Sequence, residues 1–480
     1  MENPIRRLGK DSLIYGLGGI LAKGIGFFLL PVYTRIFTPA EYGVIEMLAI
    51  ITSLLSAIIM VGLDSAQSFY YFTDDADISN KKKLISSILQ WKIGWGILVV
   101  FLATLLSPII NTLLFNEKLS LIYFLVAFSG ALTSQVLNQS VEVYRLLFKP
   151  WSFITFTTLN AIISAVLILV LVIYFEKGVL GYFVGAVVAS IIVAIFSWWK
   201  IREFVDFKHF HYNLWPKLLK FGTPLLPAGL AMYVMSTADR WFVQYYYDVG
   251  ELGIYAVGAK FALIMALAIE MFRKAWWPIA MEAINSKNGP ETIRLISRIF
   301  VGFGLAGVIY VTYLSPWLVK WFTASNYHDA YKIVGILAWQ SLFYGFYLFA
   351  TLGIWKREKT KYIPIIMVVS AILNILLNAI LVPRLGGVGA ALATAIVYFM
   401  LTLTTILISE RLWKIGYEFY KFSMQLLVSI STVSVILILY RQNTLFYLNT
   451  ILTHFVVFIL ITTSIPEEYR KHILRKITKQ

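Results

Sequence analysis

Residues 151–199 read WSFITFTTLNAIISAVLILVLVIYFEKGVLGYFVGAVVASIIVAIFSWW, and this stretch decides the fold class. Its only charged residues, Glu176 and Lys177, divide it into two continuous apolar runs. A helix needs about 20 apolar residues to cross a hydrocarbon core about 30 Å thick, and each run is long enough. Neither run alternates with a period of two residues, as a membrane-spanning strand would. Each run therefore predicts one transmembrane helix.

The whole chain shares this apolar character. Of its 480 residues, 59% are hydrophobic and 14% are charged, whereas about 25% are charged in an ordinary soluble domain. A water-soluble globule could not bury so much apolar surface. Cysteine is absent from the sequence, which excludes disulfides, thiolate catalysis and cysteine-ligated metals.

The same search predicts an all-α polytopic membrane protein with about fourteen transmembrane helices. The predicted spans are 11–36, 41–66, 84–107, 119–141, 151–175, 179–199, 217–247, 251–283, 293–316, 330–355, 362–383, 387–409, 419–440 and 445–464. The first span follows a short basic stretch, as the apolar core of a signal peptide does. It is too long for one and has no small-residue cleavage site, so we expect it to stay in the membrane.

The distribution of lysine and arginine predicts the orientation. With the N-terminus in the cytoplasm, the inner segments hold about 28 of these residues and the outer loops about 6. The even number of spans then places both termini in the cytoplasm. Most of the formal charge of +16 therefore indicates which way the protein faces in a plasma membrane, and we expect no nucleic-acid partner.

The sequence divides into two similar halves. The longest inner connection, 200–216, separates six spans from the next six. The motif that runs from Arg35 to Gly43 has a counterpart that runs from Arg240 to Gly253. Six spans is an even number, so the repeats are expected to be parallel. The predicted parts are an N-terminal lobe at 1–199, the cytoplasmic loop at 200–216, a C-terminal lobe at 217–412, and two additional helices with a basic tail at 413–480.

Spans 11–36 and 217–247 are interrupted by glycine and proline. In transporters built from repeats, such a pair of spans at corresponding positions is the best sequence pointer to the substrate site. Proline removes a backbone donor and glycine lowers the resistance to bending, so both helices can kink. The alternative explanation is close helix packing by small residues.

Five basic residues within the predicted spans form the candidate substrate site. A lysine or arginine at mid-depth costs about 2.5–3.5 kcal/mol on insertion scales, so several of them need a reason. The five are Lys23, Arg35, Lys92, Arg240 and Lys260. If the spans enclose a central cavity, these cations would bind phosphate or another polyanion there. The alternatives are lysines that snorkel to the interface and arginines that anchor to headgroups.

Acidic residues within the spans are candidates for coupling transport to an ion. Asp239 and Glu46 fall in the outer third of their spans, where either could bind H⁺ or Na⁺. Successive helical side chains diverge by about 100°, so Asp239 need not neutralise its neighbour Arg240. Asp64 and Glu270 fall near the inner rim, and Glu270 is expected to pair with the basic residues three and four positions later.

Other motifs carry little weight. Asp75-Ala-Asp77 has the D-x-D form of many glycosyltransferases, but the sequence has no soluble catalytic domain to accompany it. His209-Phe-His211 lies in a basic, aromatic loop and is better explained as interfacial than as a metal site. The sequence contains no recognisable catalytic triad, nucleophile elbow or phosphate-binding loop. We therefore expect no enzyme, no cofactor and no metal site.

Several short motifs recur in a characteristic order. They are LPVYTR at 30–35 with PAEYG at 39–43, GLDSA at 62–66, ADR at 238–240 with GIY at 253–255, and NILLN at 374–378 followed by GAA at 389–391. Together they resemble the polysaccharide transporter (lipid-linked oligosaccharide flippase) branch of the multidrug/oligosaccharidyl-lipid/polysaccharide exporter superfamily.

The resemblance implies two six-helix lobes around a central cationic cavity that opens alternately to each side. A sugar diphosphate would bind in the cavity while its polyprenyl tail stays in the phospholipid bilayer. The last two spans are similar to the extra pair of the peptidoglycan-precursor flippases, where that pair borders a groove for the tail. The implied function is export of a lipid-linked oligosaccharide, such as an O-antigen unit, across the bacterial plasma membrane.

Two alternatives remain open from the sequence. A drug/cation antiporter of the same fold would favour an acidic, aromatic cavity, and the excess of intramembrane lysine and arginine argues against it. A membrane polysaccharide polymerase or ligase would resemble chains with a long outer loop that bears catalytic residues. The longest outer loop here, about 317–329, is short.

Overall fold

The computed structural model describes residues 24–73, 78–115, 119–206, 211–442 and 446–465. Within these ranges every regular element is a helix. Eleven of the helices are long and apolar enough to cross a membrane, and a bent pair raises the number to as many as twelve. The prediction of an all-α polytopic membrane protein is confirmed.

The helices of the first half begin near the end of the first predicted span. In order they are α1 Leu30–Ile36, α2 Pro39–Met60, α3 Leu63–Thr73, α4 Ile78–Leu105, α5 Ser107–Phe115, α6 Leu121–Leu146, α7 Pro150–Leu169 with a π-helical turn at Val170–Tyr174, and α8 Gly178–Lys200. Thr38 starts α2, because its hydroxyl accepts from the Glu41 backbone N–H while the Glu41 carboxylate accepts from the Thr38 N–H.

The helices of the second half follow short 3₁₀ turns at Arg202–Phe204 and Tyr212–Leu214. In order they are α9 Trp215–Gly222, α10 Leu226–Tyr246, α11 Val249–Asn285, α12 Gly289–Phe322, α13 Tyr331–Ala350, α14 Leu352–Lys356, α15 Tyr362–Leu412, α16 Phe419–Gln442 and α17 Phe446–Ser464. Further 3₁₀ turns lie at Thr223–Leu225 and Ser325–Ala330.

Two of these helices are interrupted where the sequence predicts it. The helical segment Tyr212–Leu225, which contains α9, and the segment Gly229–Tyr246, which is most of α10, meet at a bend of 48°. Pro224 and Pro227 lie next to this bend. The 51 residues of α15 would extend about 76 Å as one straight helix, more than twice the core of a bilayer. The helix breaks at Gly386, whose φ of 58° and ψ of −139° suit a residue without a Cβ. Helix α15 therefore contains the predicted spans 362–383 and 387–409.

The first predicted span is described only from residue 24 onward. Its predicted kink lies mainly outside the described residues, and the total of fourteen spans stays a prediction. Packing divides the chain into two compact units: unit 1 is Met1–Thr237 with Tyr247–Gly253, and unit 2 is Ala238–Tyr246 with Ile254–Gln480. This division falls within α10, so the lobe boundaries predicted at 199 and 217 stay predictions as well.

Glycines allow two close backbone contacts within unit 1. A Cβ on Gly43 would lie 1.7 Å from the carbonyl oxygen of Val249, and one on Gly253 would lie 1.9 Å from that of Pro39. These are the glycines of the two similar motifs, so α2 and the start of α11 pack reciprocally at them. Gly62 and Gly222 meet in the same way, each within 2.5 Å of a carbonyl oxygen if it carried a Cβ. Small residues commonly permit such approach between membrane helices.

Unit 2 is built around an aromatic core on α11, α12 and α13. Phe272 packs against Phe300 at 4.6 Å between ring centroids, and Trp276 stacks on Phe349 at 4.7 Å. The two additional helices α16 and α17 pack on α12. At this contact a Cβ on Gly302 would lie 1.9 Å from the Ser464 hydroxyl. The last two helices are therefore an integral part of unit 2.

Candidate functional site

Four of the five candidate cations lie in the described chain. Arg35 on α1 and Lys92 on α4 belong to unit 1, whereas Arg240 on α10 and Lys260 on α11 belong to unit 2. Lys23 lies outside the described residues. The structure gives the four described cations very different surroundings.

Arg35 is at the end of α1 with an exposed side chain. Its Nη1 donates to the Pro31 carbonyl oxygen one turn earlier, at 2.9 Å. A carbonyl partner orients the guanidinium but carries no formal charge. This hydrogen bond holds the guanidinium beside the last turn of α1.

Lys92 is fully buried and forms an ion pair with Asp64 of α3. The Nζ lies 2.7 Å from the Asp64 Oδ1, while the Asp64 side chain remains 34% exposed. Trp91 and Trp95 stack on each other at 5.8 Å between ring centroids, and the Trp95 Nε1 donates to the Ile58 carbonyl. In this conformation the ammonium of Lys92 joins α4 to α3, and its charge is neutralised.

A second polar group lies between α3 and α6 in unit 1. Arg145 donates from Nε to both carboxylate oxygens of Glu142, at 3.0 and 2.9 Å, and from Nη2 to the Ser68 hydroxyl at 3.2 Å. The Gln139 amide donates to Gln67 at 2.6 Å, and both side chains are buried. Arg145 is one of the inner lysine and arginine residues counted for the orientation, and such a count does not reveal its contact with α3.

Asp239 and Arg240 contact each other, which the divergence of successive helical side chains did not lead us to expect. The Asp239 Oδ1 accepts from the Arg240 backbone N–H at 2.9 Å and from its Nη1 at 3.2 Å. The long arginine side chain folds back over one residue, and its guanidinium lies 5.6 Å from the ring centroid of Tyr255. The pair is therefore largely neutral in this conformation.

Phenol groups surround the Asp239 carboxylate, which is only 3% exposed. The Tyr255 hydroxyl of α11 donates to its Oδ2. Tyr398 of α15 interacts with it electrostatically and hydrogen-bonds Gln340. Asp239 is therefore a buried carboxylate in unit 2 whose partners are a guanidinium and a phenol hydroxyl.

Lys260 differs from Arg240, the other candidate cation of unit 2. Its side chain is half-buried on α11, within the apolar span Val249–Trp277. No carboxylate in the described parts of the chain lies within ion-pair distance of its Nζ. An ammonium in this position is costly for a membrane helix.

The other acidic candidates lie in separate places. Glu46 is half-buried on α2 and interacts electrostatically with Tyr182 of α8. Glu270 accepts from the Arg273 Nη2 at 2.5 Å, and its Oε1 lies 3.8 Å from the Lys274 Nζ. The local ion pair predicted for Glu270 is confirmed.

The two asparagines of the NILLN motif at 374–378 are buried and form a further polar feature of α15. The Asn378 side chain donates to the Asn374 carbonyl at 2.8 Å, one turn earlier on α15. The Asn374 Nδ2, the Asn378 Oδ1 and the Thr394 Oγ1 are buried without a hydrogen-bond partner in the described chain. The interior of α15 is therefore more polar than its high hydropathy indicates.

Neither weak motif gains support. Asp75 and Asp77 lie outside the described residues, as does His209. The His211 Nε2 lies 3.3 Å from the Asp206 Oδ2. The described ranges contain no group of three histidine or acidic residues that could hold a metal ion.

The described chain is an all-helical membrane fold with charged groups inside its spans, and comparison with known proteins identifies its family. The family model described as polysaccharide biosynthesis protein matches residues 8–284, more than half of the chain, and the MatE model matches residues 224–380. The chain belongs to the polysaccharide biosynthesis protein family, within a superfamily of transporters and flippases. These matches are to transporters and not to catalytic enzymes, so the polymerase or ligase alternative is set aside.

Two relatives come from Haemophilus influenzae. Lsg locus putative protein 1 is 25% identical over 285 residues, which cover 58% of this chain and 67% of that protein. An uncharacterized membrane protein is 23% identical over 403 residues, which cover 81% of this chain and 91% of that protein. The second of them supports a multi-pass integral membrane protein.

Solved structures show the same fold. The lipid II flippase MurJ in an inward closed conformation superimposes with a TM-score of 0.74 at 16% identity, covering 96% of this chain and all of that chain. An inward-facing multidrug resistance MATE family transporter of the MOP superfamily gives 0.61 at 14% identity, covering 86% and 99%. At these identities the likeness concerns the fold.

Proposed function

We propose that the protein is a flippase that moves a polyprenyl-diphosphate-linked oligosaccharide across the bacterial plasma membrane, by alternating access, for synthesis of a surface polysaccharide such as O-antigen. The observation that carries the choice of substrate is Lys260, a half-buried ammonium that has no carboxylate partner in the described chain. The family and the MurJ-like fold support the flippase part of the proposal.

The chemistry of the substrate matches these cations. A diphosphate cannot enter hydrocarbon without a replacement for its hydration, and fixed lysine and arginine side chains supply one. Arginine adds paired donors that fit phosphate oxygens, which suits Arg35 and Arg240. The isoprenoid tail loses nothing by staying in the bilayer. A neutral or cationic drug would gain nothing from Lys260.

The contact between Asp239 and Arg240 supports a mechanism for coupling. While Asp239 is ionised, it holds the Arg240 guanidinium. Binding of H⁺ or Na⁺ to Asp239 would weaken this ion pair and release the guanidinium for the diphosphate. Glu46 is the other candidate for the ion, because it too is a carboxylate inside an apolar span.

Single replacement of Lys23, Arg35, Arg240 or Lys260 by alanine is expected to abolish or strongly reduce export of surface glycan. Loss of one charge-assisted contact weakens diphosphate binding by about 2 kcal/mol, which is about thirtyfold. The measurement is surface glycan in a strain that depends on the variant, together with the amount of protein in the membrane. Lys332→Ala is the control, because Lys332 is half-exposed and already paired with Asp329 at 2.7 Å. Normal export by all four variants would exclude these cations from the substrate site.

The match to the MatE family favours one second candidate, a drug/cation antiporter. The neutralised carboxylate of Asp239 and the unneutralised Lys260 argue against a cationic substrate. Expression in a drug-sensitive strain separates the two functions: a flippase leaves drug tolerance unchanged, whereas an antiporter raises it.

A further inference from the structure

Unit 2 contains a charged surface cleft beside the start of α12 and the start of α16. Its charged lining consists of Arg294 and Arg298 from α12, and Glu418 and Lys421 at the start of α16. Three cations and one carboxylate give these four side chains a net charge of +2. The count of lysine and arginine assigns this end of the helices to the inner side of the membrane.

Glu418 organises the cations. Its Oε2 lies 2.7 Å from the Lys421 Nζ, and its Oε1 lies 3.6 Å from the Arg298 Nη1. Burial acts to raise the pKa of the Glu418 carboxyl, but the hydrogen bond from Lys421 and the charges of Arg298, Lys421 and Arg294 outweigh burial and lower it. The carboxylate is therefore ionised at neutral pH and occupies the position that an external anion would take.

Backbone carbonyl oxygens hold the two arginines in place, but these hydrogen bonds do not use all of the arginine N–H donors. Arg294 donates from Nε and Nη2 to the Ile415 carbonyl at 3.2 and 2.9 Å. Arg298 donates from Nη2 to the Thr463 carbonyl at 2.7 Å, and its buried Nε has no hydrogen-bond partner in the described chain. Carbonyl oxygens hold both guanidinium groups in place without neutralising their charge.

Besides Ser297, Tyr417 and Gln425, the rest of the cleft lining is apolar. Phe346 and Phe422 stack at 5.3 Å between ring centroids, and Val301 lines the same wall. Phe419, at the edge, is 38% exposed. A ligand that fits this cleft would carry an anionic group at one end and an apolar chain at the other.

We propose that this cleft binds the phosphate headgroup of an anionic phospholipid from the inner leaflet, with an acyl chain against the phenylalanine wall. Basic pockets between membrane helices on the cytoplasmic side suit such headgroups. Free phosphate shares the headgroup chemistry, but it has no acyl chain for the aromatic wall. The site is separate from the candidate cations of the flippase, because none of them lines it.

Replacing the Glu418 carboxylate tests the proposal, because lipid binding and a purely structural role predict different effects on lipid retention. A lipid phosphate competes with Glu418 for Arg298 and Lys421, so Glu418→Gln is expected to strengthen retention of anionic lipid. If these charges only fasten the loop at Glu418 to α12, the same change would lower stability and leave lipid retention unaltered.

The experiment uses the full-length protein purified in detergent and titrated with phosphatidylglycerol or phosphatidylcholine, with bound lipid counted by native mass spectrometry. We expect preferential retention of phosphatidylglycerol, about tenfold weaker in Arg298→Gln and Lys421→Gln and severalfold stronger in Glu418→Gln. Arg411→Gln is the matched control, because Arg411 is exposed at the end of α15 and lies outside the cleft.

Three results would overturn the proposal. They are equal retention of the two lipids by the wild type, unchanged retention in Lys421→Gln and Glu418→Gln, and a thermal midpoint raised as much by inorganic phosphate as by phosphatidylglycerol, which would identify free phosphate as the ligand. Lys421 is half-exposed, so its variant keeps the test valid even if Arg298→Gln fails to fold. Lipid retention does not depend on glycan transport, so the two proposals can fail separately.

Discussion

Replacing Asp64 with alanine is expected to destabilise the protein by about 3–5 kcal/mol, and replacing Lys92 with methionine by clearly less. The asymmetry follows from burial. Lys92 is fully buried, so loss of the carboxylate leaves an ammonium without a partner in the interior of unit 1. Asp64 is 34% exposed, so loss of the lysine leaves a carboxylate that water can still reach. Methionine also fills most of the volume of the lysine stem.

Thermal midpoints of the purified variants, followed by fluorescence-detected size exclusion, measure this difference. The double variant Asp64→Asn with Lys92→Met is expected to recover most of the loss, because it removes both charges together. A midpoint for Lys92→Met at or below that of Asp64→Ala would contradict the asymmetry. A stable Lys92→Met protein that no longer exports glycan would instead support the substrate role predicted for Lys92 from the sequence.

Gly43→Ala and Gly253→Ala are each expected to cost about 3 kcal/mol in stability, the upper end of the usual cost of overpacking. The added Cβ would lie 1.7 Å from the Val249 carbonyl oxygen in the first variant and 1.9 Å from the Pro39 carbonyl oxygen in the second. Because both obstacles are backbone atoms within helices, no side-chain rotation can relieve the overlap, and α2 and α11 must separate.

The yield of monodisperse protein and its thermal midpoint test this expectation. Gly94→Ala on α4 is the control, since no described atom lies within 4 Å of a Cβ built there and alanine favours a helix. It should match or exceed the wild type. Wild-type stability in Gly43→Ala would show that the close approach of the two helices is not needed for folding.

The sequence predicts the fold well because hydropathy and the glycine and proline residues that interrupt helices are local properties of the chain. The predicted break between 383 and 387 corresponds to Gly386, and the prolines near 224 and 227 mark a real bend. The ion pair of Glu270 was also predictable, since its partners lie three and four residues later on one helix face.

The charges of the candidate site were less predictable, because their partners come from other helices or from folded-back side chains. Nothing in the sequence around Lys92 shows that Asp64, 28 residues earlier, neutralises it. The length of the arginine side chain allows Arg240 to reach Asp239 although the two Cβ atoms diverge. Arg294 and Arg298 belong to the inner lysine and arginine residues that predict the orientation, and their spacing in the sequence does not reveal the cleft they line.

Transport by the purified protein tests the central claim most directly. Liposomes that contain the protein and a fluorescent polyprenyl-diphosphate-linked oligosaccharide are treated with a membrane-impermeant quencher of the glycan label. Movement of inner-leaflet substrate to the outer face then appears as time-dependent loss of the protected fluorescence. We predict that the wild type removes this protection and that Lys260→Ala, incorporated to the same level, does so at least about tenfold more slowly. Full protection with the wild type, or equal rates for both proteins, would contradict the account.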